Sequence, residues 1–425
     1  MVHPARQRDA ELRSREGRLA EASALAEALD LEVRDAIIAP LRAATPATLL
    51  GKGKVAEIGI ICGSLGIDVA VIDDALTPVQ QRNLEKAWQV KVIDRTGLIL
   101  EIFARRARTK EGKLQVELAR LDYERSRLVR TWTHLERQRG GLGAMGGPGE
   151  TQIETDRRLL AEKIAKLKRE LIEVRRTRTL QRSARKRVPL PTVALVGYTN
   201  AGKSTLFNRL TQSDVVAQDM LFATLDPTMR RLDLPNGRPA IMSDTVGFIS
   251  DLPHELVEAF RATLEEVKEA DVILHVRDIA SPETEAEAAD VRTVLADLGI
   301  GADSERRIVE VWNKIDLVDD EAREFLTQRA GRDRAGAVAL SAATGEGCER
   351  LLVRLSDLVD EGPALTIVLD NADGEGLAWL YRHGRVDGRE EGEGGTVVLT
   401  ARLDPAALSR FEKLRPLAAT ALAAE

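Results

Sequence analysis

The 425-residue sequence is poor in cysteine and in aromatic residues, and it has no long apolar run. Its two cysteines, Cys62 and Cys348, lie far apart without a histidine cluster, which argues against a disulfide framework and against a zinc site. Aromatic residues make up only 3%, so stacking platforms for single-stranded nucleic acid are not expected. The absence of an apolar run of about 18 residues argues against a transmembrane helix. Because the polar N-terminus also lacks a signal-peptide core, we expect a cytoplasmic protein.

The charge of the chain is unevenly distributed. The whole sequence carries 62 basic and 68 acidic residues, a formal net charge of −6. Residues 105–187 hold 24 basic and 11 acidic residues, a net charge of +13, which leaves −19 for the rest of the chain. A basic segment on an acidic protein is typical of a module that binds a polyanion. On charge alone, the solvated surface of a coiled coil explains the same composition and is the simpler interpretation.

The first 108 residues divide into two parts. Residues 1–30 are charged and rich in alanine, and we expect a flexible segment or a short helix there. In residues 31–108 strands and helices alternate, which predicts a small parallel α/β subdomain. Thr77 is a good N-cap and Pro78 suits the first position of a helix. The predicted strands are Leu31–Ile38, Asp68–Asp73 and Val90–Asp94, and the predicted helices are Lys52–Leu65 and Pro78–Gln89.

Residues 109–188 have the pattern of two long helices. Seam positions three or four residues apart are Leu114, Leu118, Leu121, Arg125, Leu128, Trp132 and Leu135, followed by Leu160, Ile164, Leu167, Leu171 and Val174. Between the two series, Arg139–Glu150 contains six glycines and a proline, a composition that cannot sustain a helix. The pattern predicts an antiparallel helical hairpin with a glycine-rich tip loop. With about 25 residues in each arm, the tip would stand roughly 35–40 Å from the base.

A third region, residues 189–360, begins with a phosphate-binding motif. Thr192–Val196 is an apolar strand that runs into Gly197-Tyr-Thr-Asn-Ala-Gly-Lys-Ser204, which a helix-like segment follows. This is the order of strand, loop and helix that a P-loop requires. Glycines allow backbone N–H groups to curl around phosphates at a helix N-terminus. Lys203 is expected to reach the β- and γ-phosphates, and the Ser204 hydroxyl is expected to bind Mg²⁺.

Two further segments complete the predicted phosphate and metal site. Asp244-Thr-Val-Gly247 follows the strand-like residues 238–243 and supplies a carboxylate for Mg²⁺, through water, together with a glycine N–H for the γ-phosphate. Phe222-Ala-Thr-Leu-Asp226 offers Thr224 as a second hydroxyl for the metal in the triphosphate state. The predicted metal-binding residues are Ser204, Thr224 and Asp244. The predicted catalytic residues are Lys203, Thr224 and Gly247.

Base selection is assigned to Asn313-Lys-Ile-Asp316, which follows an apolar strand. The carboxylate of Asp316 can accept hydrogen bonds from guanine N1–H and from the exocyclic amine, a pair that adenine does not present. Asn313 and Lys314 are expected to hold and cover the base, and Ser341-Ala-Ala343 can direct a backbone N–H to guanine O6. The order and spacing of these motifs predict a guanine-nucleotide-binding switch.

The complete set of predicted nucleotide contacts is Gly197, Tyr198, Thr199, Asn200, Ala201, Gly202, Lys203, Ser204, Thr205, Phe222, Ala223, Thr224, Leu225, Asp226, Asp244, Thr245, Val246, Gly247, Asn313, Lys314, Asp316, Ser341, Ala342 and Ala343.

Phe248 follows Gly247, at the position where Ras-like GTPases have the glutamine that orients the attacking water. A phenyl ring makes no such hydrogen bond. We therefore expect slow intrinsic hydrolysis that a partner or a reoriented loop accelerates.

These motifs, with the glycine loop, the following Thr151-Gln-Ile-Glu-Thr-Asp156 and Gly51-Lys-Gly-Lys-Val55, resemble the HflX family of GTPases over about residues 30–360. The resemblance implies a translation-associated GTPase that binds the large ribosomal subunit and splits stalled or idle ribosomes under stress. It also implies that the hairpin tip reaches the ribosomal RNA near the peptidyl-transferase region. The residues assigned to that contact are Arg137, Arg139, Gly140, Gly141, Gly143, Gly146, Gly147 and Gly149.

Two alternatives remain open at this point. The chain could be a regulatory module whose hairpin clasps a protein partner, or an RNA-remodelling NTPase with a second nucleotide site. Steep salt dependence distinguishes RNA binding from a hydrophobic protein interface. Mg²⁺ is the only cofactor expected, and the protein is expected to be a monomer.

The predicted architecture is an α/β protein. A P-loop GTPase domain is preceded by the parallel α/β subdomain and the helical hairpin and is followed by a small α+β domain in residues 361–425. In this last part the predicted strands are Ala364–Leu369 and Thr396–Ala401, and the predicted helices are Glu375–His383 and Asp404–Leu414.

Overall fold

A computed structural model of the chain shows, in the residues that it describes, three sheets and one long helical hairpin. The residues that it describes are 1–6, 13–136, 148–185, 190–213, 221–222, 224–251, 261–301, 307–332, 336–359, 364–392, 394–403, 405–415 and 419–421. In these residues no helix is both long and apolar enough to cross a membrane.

The N-terminal domain is the predicted parallel α/β unit. Its strands are β1 (Val2–Arg6), β2 (Ile37–Leu41), β3 (Val69–Ile72) and β4 (Lys91–Asp94), and its helices are α1 (Arg15–Glu27), α2 (Lys52–Leu65), α3 (Pro78–Trp88) and α4 (Arg95–Arg106). All strands are parallel in the order β2-β1-β3-β4. Helix α3 begins as predicted, because the Thr77 side chain accepts a hydrogen bond from the Gln80 N–H in a capping box.

Of the two expectations for residues 1–30, the short helix is confirmed by α1, and the flexible segment is wrong for the described residues 1–6 and 13–30. Strand β1 lies inside the sheet, between β2 and β3, and α1 packs on it. The short strand contains Pro4, which favours edges because it has no N–H to donate. Pro4 is tolerated inside the sheet because β1 pairs with β3 only through Val2 and Ile72, although it pairs along its whole length with β2.

The strand predicted at Leu31–Ile38 is displaced toward the C-terminus. Strand β2 covers Ile37–Leu41, because its pairing with β1 begins where Ile37 lies opposite Val2. Helix α4 had no counterpart in the sequence prediction. It follows β4 directly, with the Asp94 side chain accepting from the Gly97 N–H as the N-cap.

The predicted hairpin consists of α5 (Lys110–Glu136) and α6 (Pro148–Arg185), which pack against each other. The α6 seam is observed: Ile164 and Leu171 are buried, and most neighbouring side chains are exposed. Helix α5 buries a second face as well, because Val116 and Ala119 join a core that includes the N-terminal domain. Arg125, predicted in the seam, is instead exposed and pairs with Asp122 on its own helix.

The central domain is a six-stranded sheet between helices. Its strands are β5 (Thr192–Gly197), β6 (Thr228–Asp233), β7 (Pro239–Asp244), β8 (Val272–Asp278), β9 (Arg307–Asn313) and β10 (Val338–Ala339). Its helices are α7 (Lys203–Thr211), α8 (Arg261–Glu269), α9 (Thr284–Asp297), α10 (Asp320–Arg332) and α11 (Cys348–Val359). The order is β10-β9-β8-β5-β7-β6, and only β6 is antiparallel to its neighbour. One hydrophobic core continues from this sheet into α4 and α5, so the first half of the chain packs firmly on the central domain.

The C-terminal domain is the predicted α+β unit. It contains β11 (Ala364–Asp370), β12 (Arg385–Glu391), β13 (Thr396–Arg402), β14 (Ala419–Ala421), α12 (Gly374–His383) and α13 (Pro405–Leu414). The sheet is antiparallel in the order β12-β13-β11-β14. The prediction missed β12 and β14; β12 has the sequence RVDGREE, whose charges and glycine do not resemble a strand.

Candidate guanine-nucleotide site

The P-loop has the backbone shape that the motif predicts. Buried strand β5 ends at Gly197, and α7 starts after Gly202, which has a φ of +88°. A Cβ atom at Gly197 would collide with the Val276 carbonyl oxygen, and one at Gly202 would collide with the Asn313 side chain. Both glycines are therefore required by the close approach of neighbouring backbone and side chains.

Lys203 is buried and points back into the loop. Its Nζ donates to the carbonyl oxygens of Gly197, at 3.1 Å, and Tyr198, at 2.6 Å. Burial lowers the pKa of Lys203 to about 8, although the Asp244 carboxylate opposes this effect. An anionic phosphate at the loop would favour the charged ammonium, which is the electrostatic complement that a nucleotide site needs.

Three oxygen-bearing side chains meet at the predicted metal site. Asp244 Oδ2 accepts from Ser204 Oγ at 2.7 Å and from Thr224 Oγ1 at 3.0 Å, and the two hydroxyls lie 2.8 Å apart. Asp244 Oδ1 is buried and has no hydrogen-bond partner among the described residues. Burial raises the pKa of Asp244, against the opposing effects of Ser204 and Lys203. Two hydroxyls and a desolvated carboxylate are the hard oxygen donors that suit Mg²⁺.

The segment that begins with the last residue of β7, which we call switch II (residues 244–250), lies directly on the P-loop. The Phe248 N–H donates to Gly197 O at 3.1 Å, and the Thr199 N–H donates to Phe248 O at 2.7 Å. A Cβ atom at Gly247 would lie 2.9 Å from Thr199 Cα and 3.1 Å from Lys203 Nζ. The Phe248 side chain is 2% exposed and packs in the shared core, so it presents no polar group to the phosphates.

The predicted base-recognition segment, residues 313–316, is held in place by hydrogen bonds and an ion pair to neighbouring loops and strands. Asn313 Nδ2 donates to Ala201 O at 2.8 Å, and Asn313 Oδ1 accepts from the Ala342 N–H at 2.9 Å. Asn313 thus ties the P-loop to the loop after β10. Lys314 has a φ of +67° and its Nζ forms a 2.8 Å ion pair with Asp278. Asp316 Oδ1 is buried without a partner among the described residues, as an acceptor reserved for guanine would be.

Two of the three N–H groups in the loop at Ser341–Ala343 have hydrogen-bond partners among the described residues. The Ser341 N–H donates to Glu346 O, and the Ala342 N–H is taken by Asn313. Arg209, which the prediction did not include, fixes this loop by donating to Ala342 O at 2.7 Å and to Ala343 O.

Several predicted contacts have side chains that point into the protein interior. Tyr198, Phe222, Leu225 and Val246 belong to the shared core, and Thr245 Oγ1 donates to Leu195 O. Any contact that these residues make with a nucleotide must come from their main chain. Among the remaining P-loop positions, Thr199 and Ala201 are buried, whereas Asn200, with a φ of +59°, and Thr205 are exposed.

Asp226 faces the hairpin instead of the phosphate site. We call residues 222–226 switch I. One oxygen of the Asp226 carboxylate accepts from the N–H groups of Arg108 and Thr109, at 2.8 and 2.9 Å, and the other accepts from the Thr109 hydroxyl. These groups immediately precede α5, and Thr109 Oγ1 accepts in turn from the Gly112 N–H at 3.0 Å. Switch I therefore supports the first turn of the hairpin.

The sequence reasoning missed a cluster of charged side chains from the N-terminal domain. Arg13, Glu21 and Arg95 contact Tyr198 of the P-loop and Ser250 of switch II. No local pattern marks them, because Arg13 and Tyr198 are 185 positions apart.

Some predicted site residues lie outside the described residues. These are Ala223 of switch I and, of the proposed RNA contacts, Arg137, Arg139, Gly140, Gly141, Gly143, Gly146 and Gly147. Gly149, predicted in the tip loop, belongs to the first turn of α6, which Pro148 begins. Proline suits that position because its missing N–H has no partner to lose there.

Comparison with protein families gives four consecutive matches. The profile described as GTP-binding GTPase N-terminal matches residues 16–104, and GTP-binding GTPase Middle Region matches residues 106–185. The profile described as 50S ribosome-binding GTPase matches residues 192–314, and HflX C-terminal domain matches residues 325–416.

Relatives match over nearly the whole chain. GTPase HflX of Magnetococcus marinus is 54% identical over 385 residues, which cover 90% of this chain and 87% of that protein. GTPase HflX of Escherichia coli is 44% identical over 399 residues, which cover 94% of this chain and 92% of that protein. A solved GTP-binding protein from Sulfolobus solfataricus in complex with GDP is 25% identical and covers 84% of this chain and 99% of its own, with a TM-score of 0.43. The four profiles and the two relatives place the chain in the HflX family of GTPases.

Proposed function

We propose that this GTPase binds the large ribosomal subunit through its basic hairpin and dissociates stalled or idle ribosomes under stress. The observation that carries the proposal is the hairpin itself. Helix α6 has 38 residues, which gives a length of about 57 Å at 1.5 Å per residue. Most of its described side chains are exposed. Such an arm can reach a site far from the nucleotide.

The surface of the arm suits RNA. Exposed basic side chains on α6 are Arg157, Arg158, Lys163, Lys166, Lys168, Arg169 and Arg176. Two of these side chains form ion pairs on the same helix, Arg158 with Glu162 and Lys166 with Glu170. Phosphates bind such a surface through charge neutralisation and release of counterions. The family description of residues 192–314 as a 50S ribosome-binding GTPase supports the same partner.

Hydrolysis would use the oxygen cluster and Lys203. Ser204, Thr224 and Asp244 would hold Mg²⁺, with Asp244 acting through water, and the metal would neutralise charge on the β- and γ-phosphates. Lys203 and the Gly247 N–H would stabilise the charge that develops on the transferred phosphoryl group. Because buried Phe248 cannot orient water, intrinsic turnover would be slow and the bound ribosome would accelerate it.

The test is GTP hydrolysis by the purified protein, alone and with purified large ribosomal subunits, at two salt concentrations. We expect strong stimulation that falls steeply with salt. A variant carrying Lys163→Glu and Lys168→Glu on α6 should lose co-sedimentation and stimulation while retaining its basal rate. The matched control carries Arg410→Glu and Lys413→Glu, the same charge change on exposed positions of α13.

Replacement of residues 140–149 by a short serine linker examines the tip separately. Loss of stimulation with retained sedimentation would assign activation to the tip and binding to the arms. If the wild-type protein neither sediments with the subunit nor responds to it, the ribosomal role is wrong. A protein partner would then be the occupant of the hairpin.

A further inference from the structure

Helix α7 joins the phosphate end of the predicted nucleotide site to its base end. The helix begins at Lys203, directly after the P-loop, and Arg209 lies in its last turn. Arg209 extends to the loop of residues 341–345, which we call the base loop. Its Nε group donates to Ala342 O at 2.7 Å, and its Nη2 group donates to Ala343 O. One guanidinium therefore holds two successive carbonyl oxygens of the loop that is predicted to face guanine O6.

The hydrogen bond to Ala342 O sets the direction of the next N–H group. The carbonyl of Ala342 and the N–H of Ala343 belong to one planar trans peptide group, so they point in opposite directions. Because Arg209 holds the carbonyl on the side of α7, the Ala343 N–H points away from α7. The bond from a guanidinium is charge-assisted, and it polarises the peptide so that its N–H becomes a stronger donor. Arg209 thus controls both the direction and the strength of this donor.

Other bonds hold the rest of the base loop. The Ala342 N–H donates to Asn313 Oδ1 at 2.9 Å, and the Gly345 N–H donates to Ser341 O at 2.8 Å. These bonds fix the first peptide group of the loop and its closing turn, and neither of them uses Arg209. Loss of the guanidinium would therefore free the following peptide group to rotate while the turn itself persists.

We propose that Arg209 is a positioning residue for guanine recognition: it holds the Ala342 carbonyl so that the Ala343 N–H is directed at O6 of the base. It acts through this peptide group and not by contact with the nucleotide. Adenine carries an amino group where guanine has O6, so an N–H fixed in this direction meets a second donor and disfavours adenine. The inference rests on the predicted role of the base loop in base recognition and does not depend on the ribosomal proposal.

The test compares two diphosphates that differ only at O6. In 6-thio-GDP a sulfur atom, which is a weaker acceptor, replaces O6, whereas the N1–H and the exocyclic amine remain available to Asp316. Each nucleotide competes with fluorescent GDP for the full chain, with Mg²⁺ at pH 7. Arg209→Met removes the donors and keeps an unbranched side chain. We expect GDP affinity to fall about fivefold, the effect of one hydrogen bond, and 6-thio-GDP affinity to change little.

The ratio of the two affinities separates positioning from a merely structural role, which would lower both affinities equally. Arg307→Met is the matched control. It removes a guanidinium that donates to another backbone carbonyl, Leu358 O at 2.6 Å, at the opposite end of β9 from Asn313, so the ratio should stay at the wild-type value.

Arg209→Lys keeps the charge and one donor, and it decides the question if Arg209→Met does not unfold cooperatively. We expect the ratio of GDP affinity to 6-thio-GDP affinity to fall about threefold in this variant, between wild type and Arg209→Met. A ratio within twofold of wild type in the folded Arg209 variants would overturn the proposal. Equal affinity of the wild-type protein for the two nucleotides would overturn it one step earlier, because the base loop would then make no contact with O6.

Discussion

Asp226 and Thr109 join switch I to the base of the hairpin. The Asp226 carboxylate accepts from the backbone N–H and the side-chain hydroxyl of Thr109, immediately before α5 begins. Thr224, two residues earlier, belongs to the oxygen cluster of the predicted metal site. Switch I and the first turn of the arm are therefore joined by direct hydrogen bonds.

Asp226→Ala should loosen that first turn. Loss of the cap exposes the N–H groups of Arg108 and Thr109, and a local cost of about 1 kcal/mol corresponds to roughly fivefold faster amide exchange there. Hydrogen exchange followed on peptides that cover residues 106–114 measures the effect. Asp233→Ala, which removes an exposed carboxylate on β6, is the control. Unchanged exchange at Arg108 and Thr109 would mean that the cap does not stabilise the turn.

Asp316→Asn should convert the base preference. The Asp316 carboxylate, whose Oδ1 has no hydrogen-bond partner among the described residues, offers acceptors for the two donors of guanine. An amide instead offers one donor and one acceptor, which match the 2-oxo group and N1–H of xanthine. We expect GDP affinity to fall by about 100-fold and xanthosine diphosphate to become the better ligand, as measured by competition with fluorescent GDP. Asp320→Asn, in the first turn of α10, should change neither affinity. Retained GDP preference would show that other groups select the base.

Local signals predicted many elements correctly, and long-range contacts account for most of the errors. The Thr77 cap and Pro78 define the start of α3, and the glycine pattern of the P-loop is enough to locate Lys203. Strand β1 was missed because five residues that include a proline have too little local preference to reveal a strand. The same limitation applies to the site: which way Asp226 or Tyr198 points depends on residues more than 100 positions away. Motifs thus identify the nucleotide, whereas its connections to other domains require the fold.

Phe248→Gln should not create a faster enzyme. Position 248 holds glutamine in Ras-like GTPases, but here the side chain is enclosed by the core. A buried amide without partners costs about 2–4 kcal/mol, so the thermal unfolding midpoint should fall while single-turnover GTP hydrolysis does not accelerate. Phe248→Leu keeps the site apolar and should lose less stability. Acceleration at an unchanged midpoint would mean that residue 248 reaches the attacking water.

His275 should make the stability of the central domain depend on pH. The imidazole is 2% exposed on β8, Nε2 is buried without a hydrogen-bond partner among the described residues, and Glu310 Oε1 is 4.0 Å from Nδ1. Burial lowers the pKa of His275 to about 4, and Arg277 and Arg292 add to this effect while Glu310 opposes it. The imidazole of the unfolded chain takes up a proton near pH 6.5, whereas that of the folded chain does so only near pH 4. The free energy of unfolding therefore decreases as pH falls from about 6.5 to 4.

The folded state therefore keeps the full contribution of neutral His275 above pH 6.5 and loses up to about 3 kcal/mol between pH 6.5 and 4. Urea unfolding of the full chain across this range should show a shallower pH slope for His275→Leu than for wild type, because the leucine has no proton to bind. Ile273→Val, on the same strand, should lower stability by about 1 kcal/mol at every pH and leave the slope unchanged. Equal slopes for His275→Leu and wild type would place the acid sensitivity elsewhere, with the carboxylates that pair with arginine, such as Glu310, as the next groups to replace.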